Sequence, residues 1–136
     1  PNHGMGNWTI EAFSNTSASS FRWYRDTFAE LERAAGSVAG LDPYDLITMQ
    51  AQRSPIGANG VTFLPYLGGA AGNRQNPDAR ATFNGMTLGT TKADIARSVL
   101  EGVSFEMRDI LAAQAAAGIR PTTIRLVGGA AKSEAW

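Results

Sequence analysis

A glycine-rich turn near the end of the chain carries the residues best suited to contact a ligand. Residues 123–127 alternate polar and apolar side chains, which predicts a strand, and Gly-Gly-Ala-Ala-Lys-Ser follows at 128–133. Glycine lets a ligand approach the backbone because it has no side chain. The N–H groups that open a following helix are unpaired and favour anionic or polar groups. The turn is therefore suited to bind a nucleotide.

Two polar side chains of this turn can add contacts to such a ligand. Lys132 supplies a positive charge for a phosphate, and the Ser133 hydroxyl can bond a base, a ribose or a phosphate. The turn is not a P-loop, since that motif needs glycines where this chain has Leu126 and Ala131. Strand-Gly-Gly-helix turns also occur for packing alone, so a purely structural role is the alternative.

The composition of the chain narrows its class. Of 136 residues, 43% are hydrophobic and 18% are charged, which suits one domain with a core and argues against disorder. Twelve basic and twelve acidic side chains balance, so bulk charge does not direct the chain to nucleic acid or to a membrane. The absence of cysteine excludes disulfides and thiolate metal sites. Without a membrane-length apolar run or signal-peptide character, the expected location is cytoplasmic.

The first third of the chain predicts one strand and two helices. Residues 8–12 alternate as a strand does, and the polar run at 14–17 offers N-caps for a helix that Gly36 is expected to end. Asp42 and Pro43 begin a second helix, with a capping carboxylate and a proline at the first helical position. The apolar face of the first helix is predicted to consist of Phe21, Tyr24, Phe28, Leu31 and Ala35.

The remainder predicts a strand, a loop and a long helix before the glycine turn. Residues 61–64 indicate a strand, and the glycine- and asparagine-rich stretch 68–77 indicates a loop. Thr91 and Asp94 resemble a capping box that opens a helix of about 26 residues, roughly 39 Å long, ending at Gly118. The apolar stripe of this helix is predicted to be Ile95, Val99, Val103, Met107 and Ile110. The order of elements is mixed α/β.

Several motifs, in order, resemble one known family. Residues 127–136 resemble the Gly-Gly-Gly-Ala-Lys-Ser-x-x-Trp segment of the FGGY carbohydrate kinases, and residues 63–67 match the Phe-Leu-Pro-Tyr-Leu of their xylulokinase-like branch. Residues 79–80 lie where the family has Ala-Arg-Gly, and residues 81–101 fit its C-terminal signature. Residues 20–26 resemble the helix that follows the first hairpin of the same domain.

The resemblance implies an actin-like, ribonuclease-H-like ATPase fold, in which two domains close over a cleft. It implies a parent protein that transfers the γ-phosphoryl group of ATP, with Mg²⁺, to a hydroxyl of a sugar such as xylulose, another pentulose or a related polyol. Residues 1–136 are then expected to be a partial C-terminal domain, incomplete at both ends and separated from the N-terminal sugar-binding domain. The family's aspartate base and phosphate loop are not in this sequence, so we expect the chain alone to be inactive.

The resemblance also implies nucleotide contacts, residue by residue. In related kinases the second glycine of the turn and the polar residue four places later contact the nucleotide, which corresponds to Gly129 and Ser133. The glycerol kinase branch adds two positions that align with Ala18 and Arg22, where that branch has glycine and glutamine. The predicted nucleotide-binding residues are Gly128, Gly129, Ala130, Lys132, Ser133, Ala18 and Arg22. No catalytic or metal-binding residue is predicted in this chain.

Other interpretations stay open at this point. Gly69-Ala70-Ala71 stands where xylulokinase-like proteins usually have Gly-Glu-Arg, which leaves the sugar open and slightly favours a non-catalytic actin-like nucleotide-binding or assembly module. A structural α/β domain is a third interpretation. Arg80 can reach a phosphate or anchor its own loop. The aromatic residues Phe21, Trp23 and Tyr24 can stack on adenine or pack in the core, and exposed apolar faces would permit a homodimer.

Overall fold

The computed structural model describes residues 2–3, 7–8, 11–71, 74–133 and 136, and within them helices alternate with short antiparallel hairpins. The helices are α1 (Ser17–Phe28), α2 (Glu30–Ala39), α3 (Pro43–Ala51) and α4 (Lys92–Ala116). The strands are β1 (Asn2–His3), β2 (Asn7–Trp8), β3 (Thr62–Leu64) and β4 (Thr82–Asn84). β1 pairs with β2 and β3 pairs with β4, with Phe63 opposite Phe83 in the second hairpin. Each helix within these ranges is too short or too polar to span a lipid bilayer.

The predicted first helix is in fact two helices. The backbone leaves helical geometry at Ala29, with φ −111° and ψ 44°, and α2 continues past Gly36 to Ala39. Gly40, in the left-handed conformation with φ 66°, ends α2 instead. Gly36 serves packing, because a Cβ there would lie 2.7 Å from the carbonyl oxygen of Leu41. The prediction that Gly36 ends the helix was therefore wrong.

The polar run before α1 has a role other than capping. α1 begins after Thr16, but the hydroxyl of Thr16 donates a hydrogen bond to the carbonyl of Pro65 and leaves the helix without a side-chain cap. The predicted strand at 8–12 reaches only Trp8 among the described residues, since residues 11–12 are irregular and residues 9–10 lie outside the described ranges. Residues 11–16 thus connect the first hairpin to α1 and fasten its start to the β3 loop.

The core is formed where α1, α3, α4 and β3 meet. It consists of Phe21, Tyr24, Ala29, Ile47, Ala51, Phe63, Ala96, Val99 and Leu100. Three residues of the predicted apolar face, Phe28, Leu31 and Ala35, are exposed, the first two by 45% and 76%. The break at Ala29 interrupts the single helical period on which that face was predicted. The burial of Tyr24 raises the pKa of its hydroxyl well above the usual range.

The two helices with clear N-terminal signals form as predicted. The carboxylate of Asp42 accepts a hydrogen bond from the backbone N–H of Tyr44 at 2.9 Å and caps α3. Thr91 and Asp94 form the capping box that opens the 25-residue α4. The stripe along α4 is buried at Val99, Val103 and Ile110 and packs against the core at Ile95, whereas Met107 is 42% exposed.

The segment before the glycine turn differs from its prediction. Residues 123–127 have no regular secondary structure and pair with no described strand, so the strand predicted there is not formed. A strand needs a ladder partner for its backbone groups, and alternation of side chains alone cannot supply one. Ile124, Leu126 and Val127 are consequently 66%, 63% and 83% exposed. The presumed helix after the turn is a single 3-10 turn over Ala130–Lys132 within the described residues.

Candidate functional site

A cleft of about 370 Å³ lies between α1, the beginning of α3 and the glycine turn. Five of the seven predicted nucleotide contacts line it, namely Ala18, Gly129, Ala130, Lys132 and Ser133. Ala18 lies more than one hundred positions before the turn, and the family resemblance, not a local pattern, placed it in the predicted site. The fold therefore brings most of the predicted site into one place.

Glycine has a different role at each of the two positions of the turn, Gly128 and Gly129. Gly128 has φ 92°, a conformation that other residues seldom adopt. Gly129 has φ −62° and ψ −39°, which any residue adopts, and a Cβ built there would meet nothing within 4 Å. The chain itself does not require a glycine at 129, so the free space beside the cleft is what this residue provides.

Hydrogen-bonding groups of the turn remain open toward a ligand. The N–H groups of Lys132 and Ser133 donate to the carbonyls of Gly129 and Ala130, both at 3.1 Å. Within the described residues, the N–H groups of Gly129, Ala130 and Ala131 meet no protein acceptor. Lys132 is exposed and has no acidic partner in the same ranges. The turn thus presents donors and one positive charge.

The Ser133 hydroxyl is the second unsatisfied feature. Its oxygen is buried and has no hydrogen-bond partner, a property it shares, in the described part of the chain, only with the side-chain carbonyl of Gln50 outside the cleft. A buried hydroxyl without a partner costs about 1–3 kcal/mol, so such atoms are uncommon unless a ligand or water completes them.

Aromatic side chains form the apolar part of the cleft. The ring of Phe21 lies 5.5 Å from the rings of both Tyr44 and Trp136, measured between centroids. The guanidinium of Arg25 lies 4.9 Å from the centre of the Tyr44 ring and helps to hold it. Ala18 leaves room beside these rings because its side chain is small. A flat apolar group such as a base can pack against this wall.

The model of the FGGY family of carbohydrate kinases, C-terminal domain, matches residues 1–136. This chain belongs to that family.

Relatives of this FGGY domain include several sugar kinases. It is 38% identical over 130 residues to a gluconokinase of Bacillus subtilis, which covers 95% of the chain and 25% of that protein. It is 37% identical over 102 residues to a xylulose kinase of Escherichia coli, covering 75% of the chain and 21% of that protein. The chain thus spans about a quarter of the length of the curated relatives it matches.

Solved structures agree with the family assignment. A xylulose kinase from Rhodospirillum rubrum superimposes with a TM-score of 0.76 at 26% identity, over 90% of the chain and 23% of that protein. A Plasmodium falciparum glycerol kinase with ADP superimposes with a TM-score of 0.70 at 26% identity, over 88% of the chain and 22% of that protein. The predicted family resemblance is confirmed.

Two predicted contacts of the FGGY domain do not line the cleft. Arg22 lies on the turn of α1 after Ala18 but is exposed, and Gly128 sets the conformation of the turn without lining the cleft. Their contact with a nucleotide stays a prediction. Arg80 donates to the carbonyls of Pro77 and Ala79 at 3.0 and 2.8 Å, so it anchors its own loop.

The role of the three aromatic residues of α1 is now defined. Trp23 stacks on Phe63 with 6.1 Å between ring centroids, and Tyr24 is fully buried, so both pack in the core. Phe21 belongs to the core and also lines the cleft, so its stacking on adenine stays a prediction.

The sequence did not indicate the residues that α3 contributes. These are Asp42, Tyr44, Asp45 and Thr48, while the end of the chain adds Trp136. The capping signal at Asp42 located the start of α3 but carried no information about which distant segment that start would face. No group of three or more histidine, cysteine or acidic side chains in the described ranges is placed to hold a metal ion.

Proposed function

We propose that this FGGY domain supplies the adenosine side of the ATP site in a sugar kinase. The parent protein transfers the γ-phosphoryl group of ATP to a hydroxyl of a sugar. The fold is then the C-terminal half of an actin-like, ribonuclease-H-like ATPase in a cytoplasmic enzyme. A second, N-terminal domain binds the sugar, and this domain alone is inactive.

The proposal rests on one observation: hydrogen-bonding groups of residues 129–133 have no partner among the described residues. Among the described residues, the amides of Gly129 and Ala130 have no acceptor, the buried hydroxyl of Ser133 has no partner, and Gly129 is a glycine that the fold does not require. All of these groups border one cleft. Packing alone, the alternative for this turn, explains the glycine at 128 but none of these three features.

Each group has a part in this proposal that follows from its chemistry. The open backbone at Gly129 admits the ribose and its phosphate at close range, and Lys132 adds a positive charge toward the phosphates. The rings of Phe21 and Trp136 provide apolar contact for the base. Phosphoryl transfer depends mainly on positioning and electrostatic stabilisation, so this domain contributes by fixing the nucleotide.

Mg²⁺ is proposed as the partner of ATP, held by phosphate oxygens and by groups elsewhere in the protein. Such a site suits Mg²⁺, which usually binds through one or two carboxylates, water and substrate phosphates. The general base is likewise assigned to the other domain.

The sugar is proposed to be a pentulose such as xylulose, or a related polyol. The xylulose kinases among the relatives support this choice, whereas the gluconokinase favours a sugar acid instead. Gly69-Ala70-Ala71, in place of the expected charged pair, is compatible with more than one sugar.

The proposal is tested with Gly129→Asp in the full-length protein. The fold tolerates a Cβ at this position, but a carboxylate would occupy the space of the ligand and repel its phosphates. We expect ATP affinity, measured by isothermal titration calorimetry, to fall by about tenfold or more, which corresponds to about 1.4 kcal/mol. Gly89→Asp, at an exposed loop position outside the cleft, is the matched control.

Two outcomes would contradict the proposal in different ways. Unchanged ATP affinity in Gly129→Asp removes the proposed site. ATP binding without sugar-dependent formation of ADP, assayed with xylulose, gluconate and glycerol, favours the non-catalytic nucleotide-binding module instead.

A further inference from the structure

The wall of the cleft formed by α3 carries two polar side chains with no role so far. Asp45 is the third residue of α3, and Thr48 follows three positions later on the same face. Within the described residues, neither side chain makes a hydrogen bond or an ion pair. A carboxylate and a hydroxyl therefore face the cleft with their bonding capacity unused.

This wall is unsuited to phosphate, although it lies at a helix N-terminus. The three N–H groups that would attract an anion are occupied or missing. The N–H of Tyr44 donates to the side chain of Asp42, and the N–H of Asp45 donates to the backbone carbonyl of Asp42 at 3.0 Å. Pro43 has no N–H. The carboxylates of Asp42 and Asp45 add negative charge. The phosphates thus belong beside Lys132, and the α3 wall is left for the base.

The paired groups on α3 match one kind of base edge. A carboxylate only accepts hydrogen bonds, whereas a threonine hydroxyl can donate one. Adenine presents a 6-amino donor next to the N7 acceptor, while guanine presents two acceptors, O6 and N7, on the same edge. Asp45 would accept from the amino group and Thr48 would donate to the ring nitrogen. Guanine would instead place its O6 against the Asp45 carboxylate, and two acceptors cannot form a hydrogen bond with each other.

We infer that Asp45 and Thr48 are the residues that select adenine, through its 6-amino edge, in the proposed nucleotide site. This inference rests on the proposed function, because it assumes that a nucleotide occupies the cleft. Asp45 has a competing structural role, since an acidic residue in the first turn of a helix stabilises it through the helix dipole. A test must therefore change the ligand as well as the protein.

The experiment compares ATP with purine riboside triphosphate, which lacks only the 6-amino group, and with GTP. Dissociation constants are measured by calorimetry on the full-length protein. We expect the wild type to prefer ATP over both analogues by about tenfold, the effect of one hydrogen bond to a charged group at a partly solvated site. In Asp45→Ala the preference over purine riboside triphosphate should disappear.

Controls separate recognition from folding. Glu30→Ala removes an exposed acidic residue from the first turn of α2, away from the cleft, and should leave the preference intact. Thr48→Val keeps the shape of the side chain and should weaken ATP binding by about threefold to tenfold through loss of one hydrogen bond.

Three results would overturn the inference. Equal affinity of the wild type for ATP and purine riboside triphosphate would contradict the inference about adenine selection but leave the proposed ATP site intact. Retention of the preference in Asp45→Ala would assign the selection to other residues. Failure of the wild type to bind any of the three nucleotides would remove the proposed function as well.

Discussion

At the scale of single residues, polar groups beside the cleft and polar groups in the interior differ in whether they have hydrogen-bond partners. Within the described part of the chain, the Ser133 hydroxyl and the amides of Gly129 and Ala130 have no partner beside the cleft. Asp94, which is 2% exposed, is instead fully satisfied. Its carboxylate accepts from Ser54 at 2.6 Å, from Asn59 at 2.8 Å and from both the hydroxyl and the N–H of Thr91. Unsatisfied groups thus distinguish the candidate site from the structural network.

The Asp94 network predicts a dependence of stability on pH. Hydrogen bonds from Ser54 and Thr91, partly opposed by burial, lower the pKa of Asp94 from 3.8 to about 2. A lowered acid pKa contributes stability above pH about 4 that is lost as the pH falls toward 2. We expect Asp94→Asn to lower the free energy of unfolding by about 1–3 kcal/mol at pH 7.

The measurement is urea unfolding of wild type and variant between pH 7 and the acid limit. The difference should shrink as the pH falls, because the wild-type carboxylate becomes protonated. Asp78→Asn, at an exposed loop position, is the control. A difference that stays constant with pH would show that the charge of Asp94 does not matter.

At the scale of elements, α4 holds β3 by direct contact with its backbone. A Cβ at Gly102 would lie 2.3 Å from the carbonyl oxygen of Phe63. The missing side chain allows α4 and β3 to approach closely, and this contact positions the core beneath α1. The bidentate ion pair of Lys92 with Glu32, at 2.8 and 2.7 Å, joins the start of α4 to α2.

Gly102→Ala tests this contact by whether the substitution raises or lowers the stability of the fold. At an open helical position, glycine to alanine stabilises a protein by about 1 kcal/mol. Here we expect destabilisation by about 1–3 kcal/mol, because the new methyl group would push α4 away from β3. Thermal unfolding monitored by circular dichroism measures the change. An increase in Tm would contradict the close approach.

The sequence predicted those elements whose signals are local. The capping residues at Asp42 and Thr91 located α3 and α4, and the turn chemistry located the loop at 68–71 and 74–77, residues 72–73 lying outside the described ranges. Features that depend on distant partners were missed. These are the break at Ala29, the short strand β4 and the lack, among the described strands, of a pairing partner for residues 123–127. No local pattern determines which segment a strand or a helix end will meet.

At the scale of the whole molecule, the candidate site is an assembly of segments from both ends of the chain. The glycine turn and the family motifs predicted one side of the cleft. The family resemblance also predicted Ala18, which is part of the side formed by α1. The α3 wall with Asp45 and Thr48 became visible only in the fold. A chain that spans about a quarter of its relatives' length fits our proposal that it provides one side of a larger active site.

Hydrogen exchange of the backbone amides in the glycine turn tests the central claim most directly. In the full-length protein without nucleotide, the amides at 129–131 should exchange fast because they have no acceptor among the described residues. Saturating ATP should slow exchange in a peptide covering 128–133 and leave a peptide covering the 3-10 turn Ala58–Gly60 unchanged. Unchanged exchange at 128–133 with ATP bound would contradict the account, because the nucleotide would then lie elsewhere.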